Sequence, residues 1–449
     1  MKYNGYPKYK TSRVDWLGDV PQHWEVKRLK DLLISSKGSI KTGPFGSQLL
    51  TSEMYDNEIK VYNQRNVIDK DFISGDNYIS REKFIELKEF QTFPGDFLIT
   101  TRGTIGKCAI LPQDAEVGIL HPCLMRLQTN KCKVNDRFLE TLIQESGIVL
   151  EQLKIKSNGT TIDVIYQDSL KNVIILIPPL AEQEAIAGFL DRETRRIDDL
   201  AAKKKRLVEL LREKRSALIS QTVTKGLDPS ASMKPSRVDW LGDVPKHWEV
   251  SKINRNATRV QTGNTPPTAE EQYYQDGTIP WYGPSSFNDN IFLSDPVKLI
   301  NKQAIIDGAA RIFSAGTLMI VGIGATIGKV SSINADSSCN QQVTGINFNR
   351  TKIDTKFITY QLKQLELTIR AMAPSATLAI FDQNKISNLW IAVPPLSEQE
   401  AIAEFLDRET AKIDNLISKV EQAVDKLHEY RTAIISAAVT GKIDVRETR

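Results

Sequence analysis

Val393–Leu416 reads VPPLSEQEAIAEFLDRETAKIDNL and Ile177–Leu200 reads IPPLAEQEAIAGFLDRETRRIDDL, identical at 18 of 24 positions. Each stretch follows a short apolar run with a proline pair. It then places apolar residues three and four apart, the period of an amphipathic helix that starts just after a rigid junction. Working outward, Ser12–Val26 (SRVDWLGDVPQHWEV) and Ser236–Val250 (SRVDWLGDVPKHWEV) agree at 14 of 15 positions. Between these anchors Gly95–Lys107 (GDFLITTRGTIGK) matches Gly316–Lys329 (GTLMIVGIGATIGK), and Thr42-Gly43 matches Thr262-Gly263. The offset drifts from 224 at the first anchor to 216 at the last, so small insertions and deletions lie between. The chain is one unit written twice, with a period too long for a solenoid. Each unit has room for a globular domain followed by a helix. Such a duplication suits a target with two similar but non-identical halves, as dimeric DNA readers mirror their operators.

Both post-domain segments carry a heptad pattern in one register. Leu190, Ile197, Lys204, Leu211 and Leu218 recur every seven residues, as do Leu406, Ile413, Val420, Leu427 and Ile434. Companion positions include Ile186, Leu200 and Leu207 in the first copy and Ile402, Leu416, Ala423 and Tyr430 in the second. Together they predict a coiled-coil seam. Ser397-Glu398-Gln399-Glu400 reads as a capping box, weakened in the first copy by Ala181, and Gly226 and Gly441 sit where C-terminal caps belong. Helices of roughly 40 residues, about 60 Å long, are expected. Two amphipathic helices packed on their own domains would satisfy the pattern. The matched register favours an antiparallel coiled coil holding two domains a set distance apart. The basic run Lys203–Arg206 reads as a solvated face.

Composition narrows the function classes. The chain has 449 residues, 41% hydrophobic and 25% charged, typical of a globular protein of two or more domains. The N-terminus has no secretory pattern and no apolar run could span a bilayer, so a cytoplasmic protein without a membrane role is expected. Net charge is +4, distributed as +2 over residues 1–180, +3 over 181–235, +2 over 236–395 and −3 over 396–449. DNA binding would therefore use local patches. Cys108, Cys123, Cys132 and Cys339 form no C-x-x-C pair, and the four histidines do not cluster, so neither a disulfide framework nor a metal site is predicted. Asn158-Gly159-Thr160 matches a glycosylation pattern that a cytoplasmic chain would not use. The loops Thr101–Lys107 and Gly322–Lys329 fail the phosphate-loop pattern, with Cys108 and Val330 where a metal-binding hydroxyl belongs. They read as strand–turn–strand. Ile177 and Val393 stand before the proline pairs where an amino-methyltransferase would need Asn or Asp. No catalytic constellation is apparent, so no catalytic residue is assigned and a non-enzymatic chain is predicted.

These segments resemble the specificity subunits of type I restriction–modification systems. The resemblance rests on WLGDVPQHWEV and WLGDVPKHWEV before each domain, the two glycine-loop segments, and PPLAEQEAIAGFLDRET and PPLSEQEAIAEFLDRET opening each helix, and it covers essentially the whole chain. It implies a mixed α/β fold in which two target recognition domains, residues 1–180 and 227–395 (with a short linker at 227–236), are joined by spacer helices at 181–226 and 396–449. It implies that each domain reads half of a bipartite double-stranded DNA site, and that the coiled coil sets the gap. It implies partners too: two methyltransferase subunits and two motor–endonuclease subunits. S-adenosylmethionine, ATP and Mg would belong to those partners, with no cofactor on this chain, and adenine would be the methylated base.

Base readout needs side chains with paired donors and acceptors, best presented on loops. The first domain offers Lys41, Thr42, Gly43, Ser47 and Gln48 in one glycine-rich loop, the run Asn63, Gln64, Arg65 and Asn66, and Arg102 in the glycine turn. The second offers Thr262, Asn264 and Thr265, then Tyr282, Ser285 and Ser286 where 63–66 would fall, then Asn340, Gln341 and Gln342. The competing reading of each residue is a surface turn closed by its own polar groups. Trp281-Tyr282 reads as core. Rival functions are a protein-binding scaffold and a fused enzyme. Divergent polar loops on a near-identical frame weigh against the first, and the missing motifs against the second.

Overall fold

A computed structural model describes residues 3–14, 17–36, 38–55, 58–156, 164–372 and 380–446. Asp15-Trp16 of the first repeat and Asn158-Gly159-Thr160 lie outside the described residues. The chain divides into two compact units, Met1–Lys204 with Gln422–Arg449, and Lys205–Glu421. The units therefore do not follow the four consecutive segments read from the sequence, because each takes one part of each long helix. Among the described residues no helix is long and apolar enough to cross a membrane.

In the first unit a four-stranded sheet runs Ile40–Thr42, Leu124–Leu127, Phe97–Thr100, Cys108–Ile110 in spatial order, all antiparallel. Phe97 and Ile99 pack with Phe138 and Leu142 of the helix Asp136–Gln144, while Leu98 between them packs with Tyr62, Val67 and Leu120. The strand is buried on both faces, so it reads as a continuous apolar run rather than an alternating one. The second face belongs to a sheet in which Ile59–Tyr62 pairs parallel with Gly118–Leu120. The other unit repeats this plan. Its sheet runs Ala257–Thr262, Val343–Phe348, Leu318–Val321, Val330–Ser332, and Ile279–Tyr282 pairs parallel with Ser338–Cys339. Leu318 and Ile320 face one cluster, Met319 and Val321 the other. The glycine loops are strand–turn–strand, as the flanking residues predict, with Gly103, Gly106, Gly324 and Gly328 at positive φ.

A polar knot at the start of each long helix explains the repeated motifs. Glu182 is 5% exposed and accepts from Trp24 Nε1 at 2.9 Å and from Tyr6 Oη at 2.5 Å, with His23 Nε2 at 2.7 Å from its other oxygen. Glu398 takes Trp248 Nε1 at 3.1 Å and His247 Nε2 at 2.8 Å. The neighbouring amides are equally engaged. Gln183 accepts from Asn135 N and donates to the carbonyls of Lys133 and Pro178. Gln399 accepts from Asp354 N and donates to Lys352 and Pro394. Both glutamines are fully buried and join the proline junction to the start of the helices Asp136–Gln144 and Thr355–Lys363. The aspartate of each FLD segment pairs with a base on that same helix, Asp191 with Arg137 and Asp407 with Lys356.

The long helices are Leu180–Lys225 and Leu396–Val439, 46 and 44 residues. The capping-box expectation is corrected: the second helix begins at Leu396, so Ser397 lies inside the first turn. Pro395 O accepts the N–H groups of Glu398 and Gln399, as Pro179 O accepts those of Glu182 and Gln183. Both copies start alike whether serine or alanine stands at the second position. The ends match the C-cap expectation. Gly226 and Gly441 sit at φ +75° and +71°, a conformation glycine adopts freely, and each lies against a tryptophan of the knot, Trp248 and Trp24 respectively.

Within each unit the helices pack antiparallel. Arg212 meets Glu421 at 2.9 Å and Arg215 meets Asp414 at 2.8 Å, one number rising as the other falls. In the first unit Arg431 meets Asp198 at 3.1 Å, the repeat-related pair. The principal heptad positions lie in the seam, but the companions need correction. Leu200, Leu207, Leu416 and Tyr430 are exposed, whereas Ala201, Val208 and Ile417 are buried. The seam therefore follows a spacing of four then three from each principal residue, the alternation of a regular heptad, with Val208 and Leu211 packed against Ile413, Ile417 and Val420. Ile413→Ala should destabilise the chain by about 2–4 kcal/mol and Leu416→Ala by less than about 0.5 kcal/mol in denaturant unfolding; comparable losses would refute this register. Gln399→Ala, which strands several buried backbone groups, should cost about 2–3 kcal/mol in the same assay.

Candidate nucleic-acid interface

One end of each unit collects the loops singled out in the sequence. In the first unit Gly43 N bonds to Leu124 O at 2.9 Å, Thr101 N to Cys123 O at 2.8 Å and His121 N to Tyr62 O at 2.9 Å. These three bonds gather the ends of both sheets. Gln64 Nε2 then reaches Thr104 O at 3.2 Å, and Gln167 Nε2 reaches Thr42 Oγ1 at 3.1 Å. His121 is half-buried, and its partial removal from water pushes its pKa below the usual value; its Nδ1 lies 3.2 Å from Cys123 N as the acceptor of that N–H. It is a neutral turn residue. The second unit uses the same frame: Gly263 N to Val343 O at 3.0 Å, Gly322 N to Gln342 O at 2.8 Å and Asn340 N to Tyr282 O at 3.0 Å.

The frame absorbs several of the candidate residues. Gly43 and Gly263 are buried where a Cβ would collide with the carbonyls of His121 and Cys339, so these glycines permit close backbone approach. Asn63 is the N-cap of the helix Gln64–Asp69, accepting from Arg65 N and Asn66 N. Asn66 is buried and donates to the carbonyls of Asp71 and Ser74. Thr42 and Thr262 are half-buried, the latter 3.2 Å from Thr344 Oγ1. Tyr282 is core, with its hydroxyl donating to Leu293 O. Ser286 and Asn340 are buried, and Asn340 donates to Gln342 Oε1. Gln342 is half-buried and reaches Ile323 O at 3.4 Å, while Asn264 donates to Gly308 O at 3.0 Å.

A smaller set stays outward. Ser47, Gln48, Arg65, Arg102, Thr265, Ser285 and Gln341 are exposed. Gln48 accepts from Phe45 N, and Thr265 donates to Gln341. Lys41, half-buried, pairs with Glu89 at 2.6 Å and lies over the Phe90 ring. Arg65, its side chain 88% exposed, pairs with Asp69 at 3.2 Å. Sequence reading missed Gln167 and Gln383, which tie this end together through Thr42 and the Val260 carbonyl. They stand 216 residues apart, the offset of the helix repeat, and that spacing was the available signal. It also missed Arg311, which donates to Thr262 O, for which no repeat partner gives a cue. Among the described residues no His/Cys/Asp/Glu group could hold a metal ion.

The family model described as the type I restriction modification DNA specificity domain matches residues 21–210 and 245–425. The chain belongs to that family. Each match takes in one loop end and the knot that roots a long helix. Two specificity subunits of Methanocaldococcus jannaschii are similar over nearly their whole length. The putative MjaX subunit is 25% identical, covering 96% of each chain, and the MjaVIII subunit is 26% identical, covering 95% of this chain and 94% of that one. The fold is shared with a chain from a type I restriction–modification assembly (TM-score 0.70, 16% identity, 94% of this chain and 98% of that one). It is shared also with the HsdS subunit of Thermoanaerobacter tengcongensis (TM-score 0.58, 16% identity, with the same coverage). The specificity subunit thus has a mixed α/β fold with two recognition domains and long paired helices.

Proposed function

We propose that this chain is the non-catalytic DNA-reading subunit of a type I restriction–modification complex, and that its two loop ends each read one half of a split double-stranded site. The supporting observation is the loop frame built twice from equivalent backbone hydrogen bonds and bearing different outward side chains. A shared frame with divergent polar groups suits two targets of common geometry and different sequence. The contact set is Lys41, Ser47, Gln48, Gln64, Arg65 and Arg102 in the first domain and Thr265, Ser285 and Gln341 in the second. The paired helices act as the spacer, and their outer faces dock two methyltransferase subunits, which two motor–endonuclease subunits join. S-adenosylmethionine, ATP and Mg are held by those partners, and the complex works in the cytoplasm.

Co-expression with the partner methyltransferase, followed by mapping of methylated adenines across host DNA, tests this reading. A single split motif with unlike halves and a constant gap supports it. A stable complex that adds no methylation favours the protein-scaffold alternative. Arg65→Ala should weaken binding through the first half-site alone, roughly 5- to 150-fold; equal loss at both halves would refute its placement. Removing one heptad from each long helix should change the preferred gap while both half-sites persist, and an unchanged gap in the methylation map would refute the spacer role.

A further inference from the structure

Arg102 and Ile323 occupy one position of the repeated frame. Thr101 N and Gly322 N make equivalent bonds just before them, to Cys123 O and Gln342 O, both at 2.8 Å. Ile165 N and Phe381 N return to the carbonyls of Thr101 and Gly322 at 2.9 and 2.7 Å. Arg102 itself bridges Val164 and Ile323 bridges Ile380, both antiparallel. The backbone is therefore fixed on two sides at each position, so a side chain leaving it starts from a rigid base. Only the side chain differs.

That difference is chemically sharp. Arg102 is exposed, and its guanidinium has no hydrogen-bond or ion-pair partner among the described residues, which do not include 157–163 beside its bridge partner Val164. Two other cations singled out at this end are engaged, Lys41 by Glu89 and Arg65 by Asp69. At the corresponding places the second domain has Gln261 and Ser285, as the pairings of Thr42 and Thr262 and of Tyr62 and Tyr282 show. Ile323 is half-buried, and its bridge partner Ile380 is 42% exposed, an apolar pair at the end of a polar loop cluster. An exposed guanidinium presents a rigid fork of donors that matches the O6 and N7 acceptors of guanine, and isoleucine can offer only apolar contact, which suits the thymine methyl.

The geometry points to Arg102 and Ile323 as the specificity-determining pair of the two domains: Arg102 reads a guanine in the first half-site, and Ile323 with Ile380 meets an A·T pair at the corresponding place in the second. The inference rests on the reading that the loop ends face DNA. The backbone at Arg102, held by Cys123 on one side and by Val164 and Ile165 on the other, gives its side chain a fixed origin, which favours a base contact, where geometry is exacting, over a phosphate contact.

The test uses the full chain in complex with its methyltransferase partner, comparing methylation maps for wild type, Arg102→Gln, Arg102→Lys and Ile323→Arg. Arg102→Gln should relax one G·C position of the first half-site, with discrimination there falling roughly 5- to 150-fold while the second half-site is unchanged. Arg102→Lys should relax the same position, because it keeps the charge and loses the fork. Ile323→Arg should alter one A·T position of the second half-site alone. Methylation that falls evenly across all sequences in Arg102→Gln and recovers in Arg102→Lys would make Arg102 a phosphate contact and overturn the inference. A wild-type split motif whose every position survives Arg102→Gln would overturn it while leaving the DNA-reading role intact. A wild-type complex that methylates no split motif would overturn that role and the inference together.

Discussion

The carboxylate at the start of each long helix, buried at Glu182 and half-buried at Glu398, is the interaction on which the architecture depends. Glu182 and Glu398 each bind a tryptophan indole and a histidine ring that come from the segment before the domain, 150 to 159 residues earlier. A carboxylate taken out of water is tolerable only when its oxygens are satisfied, so the residues that satisfy it are not exchangeable for others of similar size. One carboxylate thus ties the entry segment of a domain to its exit helix, and the adjacent glutamine ties the same helix to the domain's own packing helix. The loop end of the domain is then presented on a frame whose root is closed.

This dependence explains what was legible. The motifs that stood out as near-identical repeats are the segments that make the knot, and their identity follows from geometry that only Trp, His, Glu and Gln can supply together. The double apolar runs Phe97–Ile99 and Leu318–Val321 were legible as buried strands because both of their faces meet a hydrophobic cluster. The seam was half-legible. The observed seam is a regular alternation of four and three, Ile197, Ala201, Lys204, Val208 and Leu211, and Val208 packs with Leu211, Ile413, Ile417 and Val420 of the two helices. A seven-residue repeat fixes the principal positions and leaves open whether the second seam residue stands three or four further on, because Leu200 and Leu207 are as apolar as Ala201 and Val208.

The loop end was legible as a place and not as a list of contacts. Asn, Gln, Ser, Thr and Gly are the residues that read base edges, and they are also the residues that cap helices and close turns. Asn63 and Asn66 illustrate the ambiguity: adjacent to Arg65 in sequence, they cap a helix and hold a loop while Arg65 points to solvent. What separates the two uses is whether a polar group finds a partner inside the fold, and that is a three-dimensional property. Arg102 and Asn66 both looked like readers in sequence; Asn66 is spent on the carbonyls of Asp71 and Ser74, while Arg102 stands exposed.

Charge supplies a distinction that the apolar seam cannot. Because both long helices carry the same heptad register, apolar packing alone would accept either helix beside itself as readily as beside the other. In the second unit the segment 205–225 carries six cationic and two acidic residues, and the segment 396–421 carries three cationic and seven acidic. Arg212–Glu421 and Arg215–Asp414 are the direct contacts of that complementarity. Individually such partly exposed pairs contribute little, about 0.2–1 kcal/mol, but pairing two like segments would place an excess of one sign along the whole seam. The duplicated sequence thus keeps one framework for both halves, and in the second unit opposite charge on the two helix segments favours the pairing of unlike helices that the shared register alone does not select.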